Sequence, residues 1–198
     1  MGVRPIHCPR CKSKRCSCNN TIRFNPTIEV NPVINISPAP VNGNGGQGLL
    51  TEFQVDQPLT TTVHPGIQIP GVSTPSDLPT DGLEIATISV NVDNISSRVW
   101  MTGTVGWSAS SGVPDVVFAI TRTRPAGTEE LIFTTEQEGE SPNPDTFTSS
   151  FTFVDETPIL TQGPQLVQYR LRVGTLDDNA YIRGPIILTG AEIRANTP

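Results

Sequence analysis

Charged residues make up only 16% of this 198-residue chain and hydrophobic ones 35%, both low for a soluble globular protein. No apolar run approaches the roughly 18 residues of a transmembrane helix, which excludes an integral helical membrane protein. The opening MGVRPIHCPRCKSKRCSC lacks an apolar core, so no secretory signal peptide is expected there. A helical bundle is excluded by 19 prolines and 17 glycines, the residues that cost most inside helices. Reactive groups are scarce as well. There are two histidines, His7 and His64, and no Walker loop, dinucleotide fingerprint or metalloprotease helix. A non-enzymatic protein without a cofactor is therefore expected. Lysine is missing after Lys14, so the rest of the chain cannot form a Lys–Asn isopeptide cross-link.

What charge there is falls unevenly. Residues 1–23 hold Arg4, Arg10, Lys12, Lys14, Arg15 and Arg23 and no acid. Residues 24–198 hold 7 arginines against 19 acids, a net −12. A basic tail of this kind can bind nucleic acid or reach the acidic surface of a neighbouring copy. The acidic remainder repels phosphate, so self-association is the expected use, with neither nucleic acid nor membrane as partner.

Composition divides the chain into four segments: a Cys-rich basic head (1–18), a Pro-punctuated arm (19–41), a Gly-rich hinge (42–49) and a strand-rich body (50–198). All four cysteines, Cys8, Cys11, Cys16 and Cys18, lie in the head with the spacing C-x2-C-x4-C-x-C. C-x2-C is the usual first half of a structural zinc site, but C-x-C is too short for the second half and the interval between them is small. No metal is expected; zinc on these four thiolates is the weaker alternative. The leading expectation is oxidative cross-linking to another copy, with a solvated reduced tail as the plain alternative. Four cysteines allow three internal pairings, and the spacing does not choose among them.

The arm carries the clearest pattern. In blocks of six it reads NNTIRF, NPTIEV, NPVINI, SPAPVN, with Pro26, Pro32 and Pro38 in register. Its even positions include Ile22, Phe24, Ile28, Val30, Ile34 and Ile36, and the prolines share that parity. The odd positions are mostly polar, so an extended chain has one apolar face. Residues two apart direct their amides to the same edge, so the prolines remove donors from one edge only. Nineteen residues at about 3.3 Å each reach roughly 60 Å, too far for a strand inside a small domain. The arm is thus expected to find its apolar partner outside its own body, by adding a strand to a neighbour's sheet or by bundling with identical arms. A solvated polyproline-like linker is the alternative.

The body reads as an antiparallel all-β sandwich of the jelly-roll kind. VQYRLRV sets Val167, Tyr169, Leu171 and Val173 against Gln168, Arg170 and Arg172, and RVWMTGTVGW sets Val99, Met101, Gly103, Val105 and Trp107 against Trp100, Thr102, Thr104 and Gly106. Further strands are expected over 52–56, 59–63, 83–92, 115–123, 129–135, 146–154 and 180–190, with no helix. GWSAS (106–110) imitates a nucleophile elbow, but no helix follows it, so a strand end is expected. Asp177, Asp178 and Asn179 lack the spacing of a calcium loop and read as a turn. Glu129, Glu130, Glu136, Glu138 and Glu140 read as a solvated face.

The ordered series VWMTGTVGW (99–107), GVPDVVFAITR (112–122), LIF (131–133), FTFVDE (151–156), QYRLRV (168–173) and NAYIRGPIILTGAEI (179–193) resembles exosporium proteins of the exosporium protein C kind from endospore-forming bacteria. The likeness spans residues 85–193. It implies a jelly-roll domain on the spore surface, made in the mother-cell cytoplasm without a signal peptide and exposed to air on lysis, where thiols can oxidise. The layout of a Cys-bearing connector before a jelly roll is similar to endospore appendage subunits, though the hexad arm and the longer Cys cluster depart from them. The resemblance brings no catalytic residues. It implies a self-assembling structural subunit of a spore-surface fibre, appendage or exosporium layer, whose partners are copies of itself and other spore-surface proteins. An anchored lectin-like module and a viral or phage fibre protein are the alternatives.

Overall fold

A computed structural model describes residues 49–62, 66–109, 112–139, 146–177 and 179–194. The four cysteines, the hexad arm, nearly all of the hinge, His64, Glu140 and Asp178 lie outside the described residues. Among the described residues nine strands form: β1 (Leu49–Leu59), β2 (Ile67–Gln68), β3 (Leu83–Val92), β4 (Arg98–Ala109), β5 (Asp115–Thr123), β6 (Glu129–Glu138), β7 (Thr146–Asp155), β8 (Gln165–Thr175) and β9 (Ala180–Arg194).

The strands build two antiparallel sheets, in the orders β1-β9-β4-β7 and β3-β8-β5-β6, with β2 pairing with part of β9. Chain neighbours β3 and β4 sit in opposite sheets, as do β6 and β7, and β8 and β9. Two interleaved Greek keys with this strand order are a jelly roll, which is the fold expected from the sequence.

Period-2 alternation decides which side of each strand is buried. Val99, Met101, Val105 and Trp107 of β4 face Val167, Tyr169, Leu171 and Val173 of β8 across the core, and all eight are fully buried. Gly103 has a steric reason to be glycine. A Cβ there would stand 2.1 Å from the Phe151 ring, which occupies the space instead. Strand β5 is buried on both faces, as its near-continuous apolar run requires. Its Val117 and Ala119 turn away from the core to meet Val72 and Leu78, which come from the segment before β3.

Two expectations need correcting. The strand expected at 52–56 forms as part of β1, which ends at Leu59; the strand expected at 59–63 does not form over 60–62, and Val63 lies outside the described residues. Pro58 has no N–H to give the ladder, but it falls where the register shifts between Asp56 and Leu59, so pairing resumes beyond it. The body also contains helix: a 3-10 turn at Pro75–Asp77 leads into one α turn, α1 (Leu78–Asp81). Asp77 Oδ2 accepts from the Thr74 N–H at 2.9 Å, and Leu78 plugs the outer side of β5.

Where β1 passes the margin of the second sheet, carboxylates replace a ladder. Asp56 Oδ2 accepts from the Thr87 N–H (2.8 Å), Glu52 Oε2 from the Asn91 N–H (2.9 Å) and Glu192 Oε1 from the Asp93 N–H (3.0 Å). Outward amides of β3 and of the residue after it are thereby satisfied without a neighbouring strand.

A candidate association surface

The two sheets present opposite chemistries on their outer sides. On the second sheet, β8 places Arg170 and Arg172 outward beside Glu129 of β6 and Glu84 of β3. Arg172 Nε donates to Glu129 Oε1 at 2.6 Å, Arg170 Nε lies 3.2 Å from Glu84, and Thr121 Oγ1 donates to Glu129 at 2.5 Å. Burial acts to raise the Glu129 pKa, but hydrogen bonds from Arg172 and Thr121 and the two guanidinium charges outweigh it, and the carboxyl is held below its ordinary value.

At one end of the sandwich a second charge cluster ties the sheets together. Arg122 follows the core-facing parity of β5 and meets Asp155 at the end of β7, with Nη1 donating to both carboxylate oxygens at 2.6 and 2.7 Å. The Tyr169 hydroxyl donates to the same carboxylate at 3.0 Å. Burial, with the Asp155 charge close by, pushes the Tyr169 pKa up, so this phenol stays protonated. Burial works against the Arg122 charge, but Glu130 and Asp155 outweigh it and raise its pKa. Glu130 is held below its ordinary value chiefly by the Arg122 hydrogen bond, against some burial and with help from Arg124. Arg122 and Arg124 also donate to the carbonyls of Thr157 and Pro158, fixing the loop that inserts Ile159 into the core.

The solvated reading fails for Glu129, which is part-buried, while Glu130 is exposed as expected but is not free. They are salt-bridged to four arginines drawn from β5, from its following turn and from β8. Glu136 and Glu138 are exposed, as expected. Residues 106–109 of GWSAS close β4, with Ser110 outside the described residues, and Ser108 is buried, accepting from Arg183 Nε at 2.8 Å. Asp177 and Asn179 lie in the turn between β8 and β9, where Asp177 Oδ1 accepts from the Asp115 N–H. No group of metal-ligating side chains occurs among the described residues.

The first sheet is different. On its outer side Phe53, Ala191, Trp100 and Val154 stand opposite one another across β1, β9, β4 and β7 in one row. Phe53 is 53% exposed, Trp100 46% and Val154 38%, while Ala191 is covered between the larger side chains. Leu50 and Val55 on β1 extend the stripe and are also exposed. Beyond it the outward positions of β4, β7 and β9 carry Thr102, Thr104, Thr148, Ser150, Thr152 and Thr189, with Ile187 beside Thr104. Two cross-strand hydroxyl pairs link them, Thr102–Thr189 at 2.7 Å and Thr104–Ser150 at 3.3 Å. Charge returns at the margins, in Arg98 with Glu156 beside it and in Arg183.

No family model and no curated protein matches the chain. Among solved structures, a chain of infectious bursal disease virus, Gx strain, is similar at 14% identity and a TM-score of 0.38. The likeness covers 74% of this chain and 37% of that one, so this chain spans little more than a third of it. Eiger TNF from S. frugiperda is similar at 12% identity and TM-score 0.36, over 74% of this chain and 96% of that one. The CBM22-1 xylan-binding domain from Paenibacillus barcinonensis Xyn10C is similar at 16% identity and TM-score 0.34, over 77% and 88%. At these values the likenesses add nothing to the strand arrangement described above.

Proposed function

We propose that this protein is a self-assembling structural subunit of a bacterial spore-surface fibre or layer, with no catalytic role. The jelly roll supplies a rigid block, the arm reaches a neighbouring copy, and the head cysteines lock the contact by disulfides once the surroundings become oxidising. The observation that carries this reading is the bare stripe of Phe53, Trp100 and Val154 on an uncharged sheet face, since contiguous exposed apolar surface marks a contact site. Support for the spore surface comes from the resemblance of residues 85–193 to exosporium proteins. With every cysteine in the head, a disulfide between copies joins head to head.

Negative-stain microscopy of the full-length protein, oxidised in air and with a reduced sample alongside, tests the reading. Filaments or sheets are expected that fray in reductant, while a variant lacking residues 1–41 stays folded by circular dichroism and forms none. Assembly that proceeds unimpaired without residues 1–41 overturns the proposal.

Trp100, exposed beside threonine hydroxyls, favours a second reading, an anchored glycan-binding module. Aromatic rings beside hydroxyls suit sugar recognition, and a glycan array with no binding removes this alternative.

A further inference from the structure

We propose that the apolar stripe on the outer side of the first sheet is the receptor for the arm of a neighbouring copy, with residues 22–36 laid across it and their even-numbered side chains facing down. This rests on the self-assembly reading above and names the surface that assembly uses. Three observations point to the arm as occupant. The first is charge. Outward positions of β4, β7 and β9 between Arg98 and Arg183 carry no ionised group, and residues 22–36 of the arm carry only Arg23 and Glu29, both at odd positions, opposite in parity to the apolar side.

The second is dimension. The row from Phe53 to Val154 crosses three inter-strand gaps, about 14 Å. Three successive even-numbered arm side chains span about 13 Å in an extended chain, so Ile28, Val30 and Pro32, or Pro32, Ile34 and Ile36, match its width. The whole apolar side of residues 22–36 reaches about 50 Å, far more than the stripe of one body, which favours a chain that bridges copies over one folded back on itself. The third is the state of the β3 margin, where Asp56, Glu52 and Glu192 already occupy outward amides. At that margin an incoming strand would have to displace charged acceptors, whereas the stripe offers side chains with nothing to displace but water.

Two full-length variants test this under reducing conditions, so that the head makes no covalent link. The face variant carries Phe53→Asp and Trp100→Glu; the arm variant carries Ile28→Asp, Ile34→Asp and Ile36→Asp. All five positions lie on the exposed stripe or outside the described residues, and near-UV circular dichroism from buried Trp107 and Tyr169 checks that both bodies are intact. Sedimentation velocity is expected to show that each variant alone assembles at least about tenfold more weakly than the wild type, since aromatic anchors dominate such contacts. Mixed together, they should form a heterodimer and stop there, the good arm of one on the good face of the other. A face variant that assembles like the wild type, while the arm variant does not, overturns the receptor assignment and leaves self-assembly by the arm standing. An arm variant that assembles like the wild type overturns both. Two deficient variants that stay monomeric when mixed also overturn the assignment, because the arm then acts within its own chain or on another surface.

Discussion

The outer sides of the two sheets were built from the same strand geometry and ended with opposite chemistry. The second sheet sets arginine against glutamate across β3, β8 and β6, and the segment with α1 covers part of it. The first sheet has hydroxyls and a bare aromatic row. A face whose arginines are already paired with glutamates gains little from a partner over those pairs, since docking would desolvate them, although Glu136, Glu138 and Leu166 stay exposed on the same side. A face of exposed Phe, Trp and Val gains from any partner that removes it from water. The molecule thus has one finished side and one unfinished side.

Removing Asp155 should do most to break this contrast. Asp155→Ala strands the buried Arg122 guanidinium and the Tyr169 hydroxyl together and frees the loop that carries Ile159. A loss of about 3–5 kcal/mol is expected, read as a lowered midpoint in urea unfolding. Glu129→Gln comes next. At neutral pH it should cost about 1–2 kcal/mol, because two arginines lose their charged acceptor. It also has a pH signature. The Glu129 carboxyl is held below its ordinary value of 4.5, so its contribution is complete above about pH 4.5 and is lost as the pH falls through the lowered value. Melting temperatures of the wild type should fall over that interval, and those of Glu129→Gln should fall less. Trp100→Thr is expected to do least to the fold, about 0.5–1 kcal/mol, because the residue is about half exposed and a β-branched hydroxyl suits the strand. The same substitution should weaken assembly. An equal loss of folding stability and association would mean that the row is ordinary surface of the block.

Much of the body was legible in the sequence. Alternation alone put Trp107 and Tyr169 inside and Trp100 on the opposite side, and it sorted residues 99–105 and 167–173 correctly, whereas Gly106, expected on the outer side, is buried. What alternation does not carry is partnership. Asp155 meets Arg122 from the other sheet, and Glu129 meets Arg170 and Arg172 from more than forty residues away, so the acids read as solvated until strand order was known. The stripe was hidden for the same reason. Phe53, Trp100 and Val154 become neighbours only once β9 lies between β1 and β4, and that order belongs to the topology. Two strands were expected where β1 runs on to Leu59, and a shift in register is what lets the ladder continue past Pro58.

The carboxylates along β3 have a consequence for crowding. Copies packed side by side on a surface meet at millimolar local concentrations, where open sheet margins tend to zip together irreversibly, as in amyloid. Glu52, Asp56 and Glu192 put negative charge on the amides that such zipping would recruit. Along that margin neighbours can be dense and dry without their sheets merging, and each block keeps its own outline.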